Sequence, residues 1–91
     1  MPHARRIVHF AGRVQGVGFR ATTCRIAQDF AVAGYVQNLN DGRVRVEVEG
    51  ETGEIDGFLA AVRGRFGRYV QHEEDRAEPT QKEFEGFEIR F

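Results

Sequence analysis

Residues 35–50 read YVQNLNDGRVRVEVEG, and they hold the plainest backbone signal in the chain. Val44, Val46 and Val48 alternate with Arg43, Arg45, Glu47 and Glu49, the period of two expected of a strand that buries its valines and sends its charges to solvent. The NDG at 40–42 is a hairpin signal of the Asp-Gly kind, and YVQNL before it reads as the partner strand. A central antiparallel hairpin is therefore the frame into which the flanking segments must fit.

Upstream, RRIVHFAGRV alternates and predicts a strand from about Arg5 to Val14, with Val8, Phe10, Gly12 and Val14 on one face. After a glycine-rich turn, Phe19, Thr23, Ile26, Ala27 and Phe30 fall at helical spacing, and Gly34 reads as the helix stop. Downstream, Ile55, Phe58, Leu59, Val62 and Phe66 form one stripe of a second helix. Its Gly57 and Gly64 each cost about 1 kcal/mol relative to alanine, which packing must offset. Residues 68–76 read as a polar fourth strand broken by Pro79, and FEGFEIRF as a short last strand with Phe87, Ile89 and Phe91 on one face. The order β-α-β-β-α-β plus a short C-terminal strand predicts a single α+β domain over residues 1–91. Its expected form is a ferredoxin-like α/β sandwich, a mostly antiparallel sheet with two helices on one face.

Composition narrows the function classes. The 91 residues are 41% hydrophobic and 30% charged, the balance of an ordinary globule. Thirteen Lys+Arg against 14 Asp+Glu leave a net charge of −1, which argues against a nucleic-acid binder that works mainly through phosphate electrostatics. One cysteine, Cys24, excludes an internal disulfide framework and a cysteine-rich zinc site. His3, His9 and His72 have no ligand spacing, so no metal site is expected. No stretch resembles a signal peptide or a membrane span, and the expected location is cytoplasmic, with no membrane partner. No large apolar surface is evident, so a monomer is expected.

The turn GRVQGVGFR, residues 12–20, invites two readings. Gly12, Gly16 and Gly18 can simply let the chain reverse. They can also clear space for the backbone amides of Gln15, Gly16, Val17, Gly18 and Phe19 to converge on an anion at a helix N-terminus, with Arg20 adding a planar fork for two oxygens. Lys and the Ser/Thr of a Walker loop are missing. Asn38 ends the strand that follows the first helix, and a strand–helix–strand crossover returns it to the same sheet edge as the turn. A carboxamide there can accept from a water and donate to an oxyanion, or it can serve the adjacent hairpin turn.

GRVQGVGFR followed in register by GYVQNLNDGRVRVEVEG, with EPTQKEFEGFEIRF at the end, resembles the acylphosphatase family over essentially the whole chain. The resemblance implies hydrolysis of acyl phosphates (carboxyl-phosphate anhydrides) with no metal or organic cofactor. It makes the loop from Gln15 to Arg20 the phosphate cradle, Arg20 the catalytic arginine and Asn38 the residue that holds the attacking water. Inorganic phosphate would be product and competitive inhibitor. The chain departs from the family pattern at Tyr35, where tryptophan is usual, and in its polar fourth strand. Two rival classes are an RNA-binding module, which needs a basic sheet face with exposed aromatics, and a phosphate-sensing domain without turnover. Elsewhere, Glu73, Glu74 and Asp75 read as a solvated strand edge, Thr22 and Thr23 as hydroxyls capping the first helix, and Cys24 as a boundary thiol.

Overall fold

A computed structural model describes residues 3–82 and 84–91. The elements follow in the order β1 (His3–Gly12), α1 (Phe19–Ala27), β2 (Val32–Asn38), β3 (Val44–Glu51), α2 (Thr52–Phe66), β4 (Val70–Glu78) and β5 (Phe87–Arg90). The five strands form one sheet in the order β4-β1-β3-β2-β5. All pairings are antiparallel except β2 with β5, which is parallel.

Register explains how alternation becomes a core. Val8 pairs with Val46, Val46 with Val36, and Val36 with Ile89, so one apolar row crosses four strands on a single face. Against this face the two helices lay Phe19 and Ala27, and Ile55, Phe58, Leu59, Val62 and Phe66, all buried. The α2 stripe is the one expected from spacing. The Gly57 expense has a packing reason, because a Cβ there would lie 2.7 Å from the Phe30 ring.

The helix-free face corrects the expectation that Glu47 and Glu49 reach solvent: both are 3% exposed. Glu47 accepts hydrogen bonds from Arg5, from Arg45 Nη2 at 2.8 Å and from the Tyr35 hydroxyl at 2.9 Å. Glu49 Oε1 accepts from Thr80 Oγ1, Gln81 N and Lys82 N at 3.2, 3.0 and 3.2 Å. Those donors sit on the connector between β4 and β5, the two edges of the sheet. The connector therefore crosses this face, and Phe84 lands edge-on against Tyr35 at 5.9 Å. The alternation assigned the faces; charge pairing and the connector then buried one of them.

Other boundaries also shift. β1 runs two residues earlier at each end than the pattern suggested, and β4 occupies 70–78, ending just before Pro79. α1 stops at Ala27, with Gln28 as its C-cap, so Gly34 is not a helix stop but a residue of β2. The helix begins on Gly18 without a side-chain cap, and Thr23 is wholly buried within it, so neither Thr22 nor Thr23 is the cap. Glu73 and Asp75 pair across β1 with Phe10 and Val8, on the helix face of the sheet. Arg63 of α2 clasps both, and Arg6 binds Asp75, so these carboxylates are ion-paired and not freely solvated.

Candidate active site

Buried anchors define the loop between β1 and α1. Val14 is fully buried on one side, and Phe19 on the other stacks on Phe66 at 4.3 Å. The four residues between them, Gln15 to Gly18, are exposed. Gly16 (φ 81°) and Gly18 (φ 76°) take the left-handed conformation that turns the chain into the helix, a region costly for other residues. The first turn of α1 carries no acidic side chain, so its amide end faces no fixed negative charge of its own.

The Gln15 side chain is turned away from the loop's concavity. Its Nε2 donates to the Leu39 carbonyl at 2.9 Å and to the Arg43 carbonyl at 3.0 Å. It thereby ties the loop to the β2–β3 hairpin turn, next to Asn38.

One pocket is lined by Gly16, Gly18, Phe19, Arg20 and Asn38, with Ile89 and Phe91 along its side. Gln15 and Val17 are not among its walls, although Val17 stands between two glycines that are. Asn38 Oδ1 is buried with no hydrogen-bond partner among the described residues. Arg20 lays its guanidinium over the Phe91 ring, 4.8 Å from the ring centre. Among the described residues it has no side-chain hydrogen bond or ion pair. A stack of that kind holds the fork while leaving its five N–H donors available.

Sequence reasoning missed the contribution of the last strand. In phase with Val36↔Ile89 and Gln37↔Arg90, the parallel pairing brings Phe91 beside Asn38. The alternation of Phe87, Ile89 and Phe91 was the available signal, but it does not name the strand that will be the neighbour. His9, by contrast, lies on the helix-free face, where desolvation and then Arg43 and Arg45 hold its imidazole below the ordinary range.

Comparison with known proteins identifies the family. Residues 6–89 match the family model for acylphosphatase. An acylphosphatase of Haloarcula marismortui is 37% identical over the whole of both chains. One of Synechococcus sp. is 43% identical over 91% of this chain and 88% of its own. The crystal structure of acylphosphatase from Bacillus subtilis superposes with a TM-score of 0.83 at 29% identity, covering 99% of this chain and 100% of that one. A structure of full-length HypF in a phosphate- and nucleotide-bound form gives 0.84 at 30% identity, with this chain spanning 12% of it. The architecture is that of a ferredoxin-like α/β sandwich whose first helix is entered through a glycine-rich turn. Within that class, the chain belongs to the acylphosphatase family, a family of hydrolases.

Proposed function

We propose that the chain hydrolyses acyl phosphates to a carboxylate and inorganic phosphate, with no metal ion, by in-line attack of a water that Asn38 positions. The observation that carries this reading is that Arg20 and Asn38, eighteen positions apart in sequence, line one pocket with Gly16 and Gly18. Backbone amides from Gln15 to Phe19 and the Arg20 fork hold the phosphoryl oxygens and stabilise the charge that gathers on them in the transition state. The Asn38 carboxamide orients water on the opposite side from the leaving group. The water oxygen bonds to phosphorus, the bond from phosphorus to the acyl oxygen breaks with its electron pair going to the carboxylate, and both of the water's hydrogens end on the phosphate product, which then equilibrates with solvent.

The chemistry suits so small an apparatus. The leaving group is a carboxylate whose conjugate acid has a pKa of about 4, so it departs without a proton donor. Alkyl phosphate esters lack that advantage and fall outside the substrate range. Inorganic phosphate, which presents the same oxygens, competes with substrate. The protein works as a cytoplasmic monomer with small-molecule partners. On the helix-free face Tyr35 is buried under the connector, which disfavours base stacking by an RNA.

The test is hydrolysis of benzoyl phosphate in the presence of a chelator. Arg20→Gln is expected to lower kcat/KM by about 100- to 1,000-fold and to weaken phosphate inhibition. Asn38→Ala is expected to lose rate by a similar factor while keeping phosphate affinity. Unchanged turnover in both variants would overturn the assignment.

A further inference from the structure

The segment that enters α1 has few bonds to hold it in place. Val14 is fully buried, but Gln15 to Gly18 are exposed, and glycines at positive φ leave the backbone there permissive. Among the described residues, the side-chain hydrogen bonds of residues 14–18 are the two made by Gln15. Its amide nitrogen carries two hydrogens. One reaches the Leu39 carbonyl at 2.9 Å and the other the Arg43 carbonyl at 3.0 Å, so the whole donor capacity of the side chain is used on one hairpin turn.

That turn closes without Gln15. The Leu39 amide donates to the Arg43 carbonyl at 2.8 Å, and the Gly42 amide to the Leu39 carbonyl at 3.2 Å. The Asp41 carboxylate also accepts from the Arg43 amide at 3.1 Å. Each carbonyl oxygen thus serves the turn with one lone pair and Gln15 with the other. The Gln15 bonds are not needed to shape the turn; they fix where it stands relative to the loop. Gln15 and Leu39 are the chain neighbours of Gly16 and Asn38, two walls of the pocket, and Arg43 precedes Val44, the cross-strand partner of Asn38. The Asn38 carboxamide makes no hydrogen bond of its own among the described residues. Its place is therefore set by the backbone that Gln15 grips.

From this placement we infer that Gln15 is a positioning residue, whose side chain sets the separation between the phosphoryl group in the loop and the water at Asn38. In-line attack needs the two reacting atoms about 3–3.5 Å apart and aligned, and an error of about 1 Å can cost 100-fold in rate. Binding of the phosphoryl group needs only the loop amides and Arg20, which Gln15's side chain does not touch. Loss of the tie should therefore slow the chemical step and spare phosphate binding. The inference rests on the hydrolytic reading, since it needs Asn38 to hold the attacking water.

The experiment measures single-turnover rates on saturating benzoyl phosphate, inhibition by inorganic phosphate and the urea midpoint. Gln15→Met keeps the length of the side chain and removes both donors. It is expected to slow turnover by about ten- to 100-fold, with the phosphate inhibition constant within about twofold of wild type. Because Gln15 is exposed, water can serve the released carbonyls, and the urea midpoint should fall only slightly. Gln15→Glu, which sets a carboxylate against two carbonyl oxygens, should lose at least as much rate. In an Asn38→Ala background the group being positioned is gone, so adding Gln15→Met should slow turnover by less than about twofold. An undiminished rate in Gln15→Met would overturn the inference. So would phosphate inhibition that weakens in step with the rate, or the same fold-loss with and without Asn38, since Gln15 would then act on the loop alone. Failure of the wild-type protein to hydrolyse benzoyl phosphate would instead remove the hydrolytic reading, and the positioning role with it, before any variant is compared.

Discussion

Gly34 sits in the middle of β2 at φ 150°, where a side-chain carbon would lie 1.9 Å from the Glu47 carbonyl oxygen. The neighbouring backbone of β3 leaves no room to yield. Gly34→Ala is therefore expected to destabilise the fold by about 2–4 kcal/mol, read as a lower urea midpoint at unchanged m-value. In the sequence the same glycine resembled a helix stop, because local punctuation and cross-strand crowding select the same residue. Arg20 and Asn38 could be brought together from sequence since one strand–helix–strand unit contains both. The Gln15 side chain could not: its partners are carbonyl groups, which every residue has.

At the scale of elements, β4 shows how a polar edge strand is held. Asp75 receives two hydrogen bonds from Arg6, one at 2.8 Å from Nε, and a third at 2.9 Å from Arg63. Arg6 above all, against the opposing effect of burial, keeps the Asp75 carboxyl below its usual range. A carboxylate whose folded pKa is depressed stabilises the fold above its unfolded pKa and loses that contribution as pH falls through the folded value. Asp75→Asn should then cost about 1 kcal/mol at pH 7. Denaturation curves of the two proteins should converge as the pH drops below about 4. Polarity alone marked β4 as a weak strand, since an inward carboxylate and a solvated one look alike until Arg6 and Arg63 are placed. β5 was legible as a strand, but its parallel place beside β2 depends on a connector whose path residue patterns do not encode.

For the molecule as a whole, the two faces of the sheet are secured by different forces. The helix face is apolar packing, whereas the other is closed by Glu47 and Glu49, which gather groups from β1, β2, β3 and the connector. Glu47→Ala would leave Arg5 and Arg45 without their shared carboxylate and the Tyr35 hydroxyl without its acceptor. It is expected to cost roughly 3 kcal/mol. Glu47→Gln, which keeps the shape and an acceptor, should cost less, and chemical denaturation at pH 7 separates the two. The pocket, too, belongs to the whole chain. Its walls come from the loop after β1, from α1, from the end of β2 and from the residues of and just beyond β5, a span running from Val14 to Phe91. No partly folded form that lacks the last strand can present it. Occupancy and global unfolding are therefore a single linked equilibrium, and anything that fills the pocket at 100 times its Kd adds about 2.7 kcal/mol to the stability of every element at once.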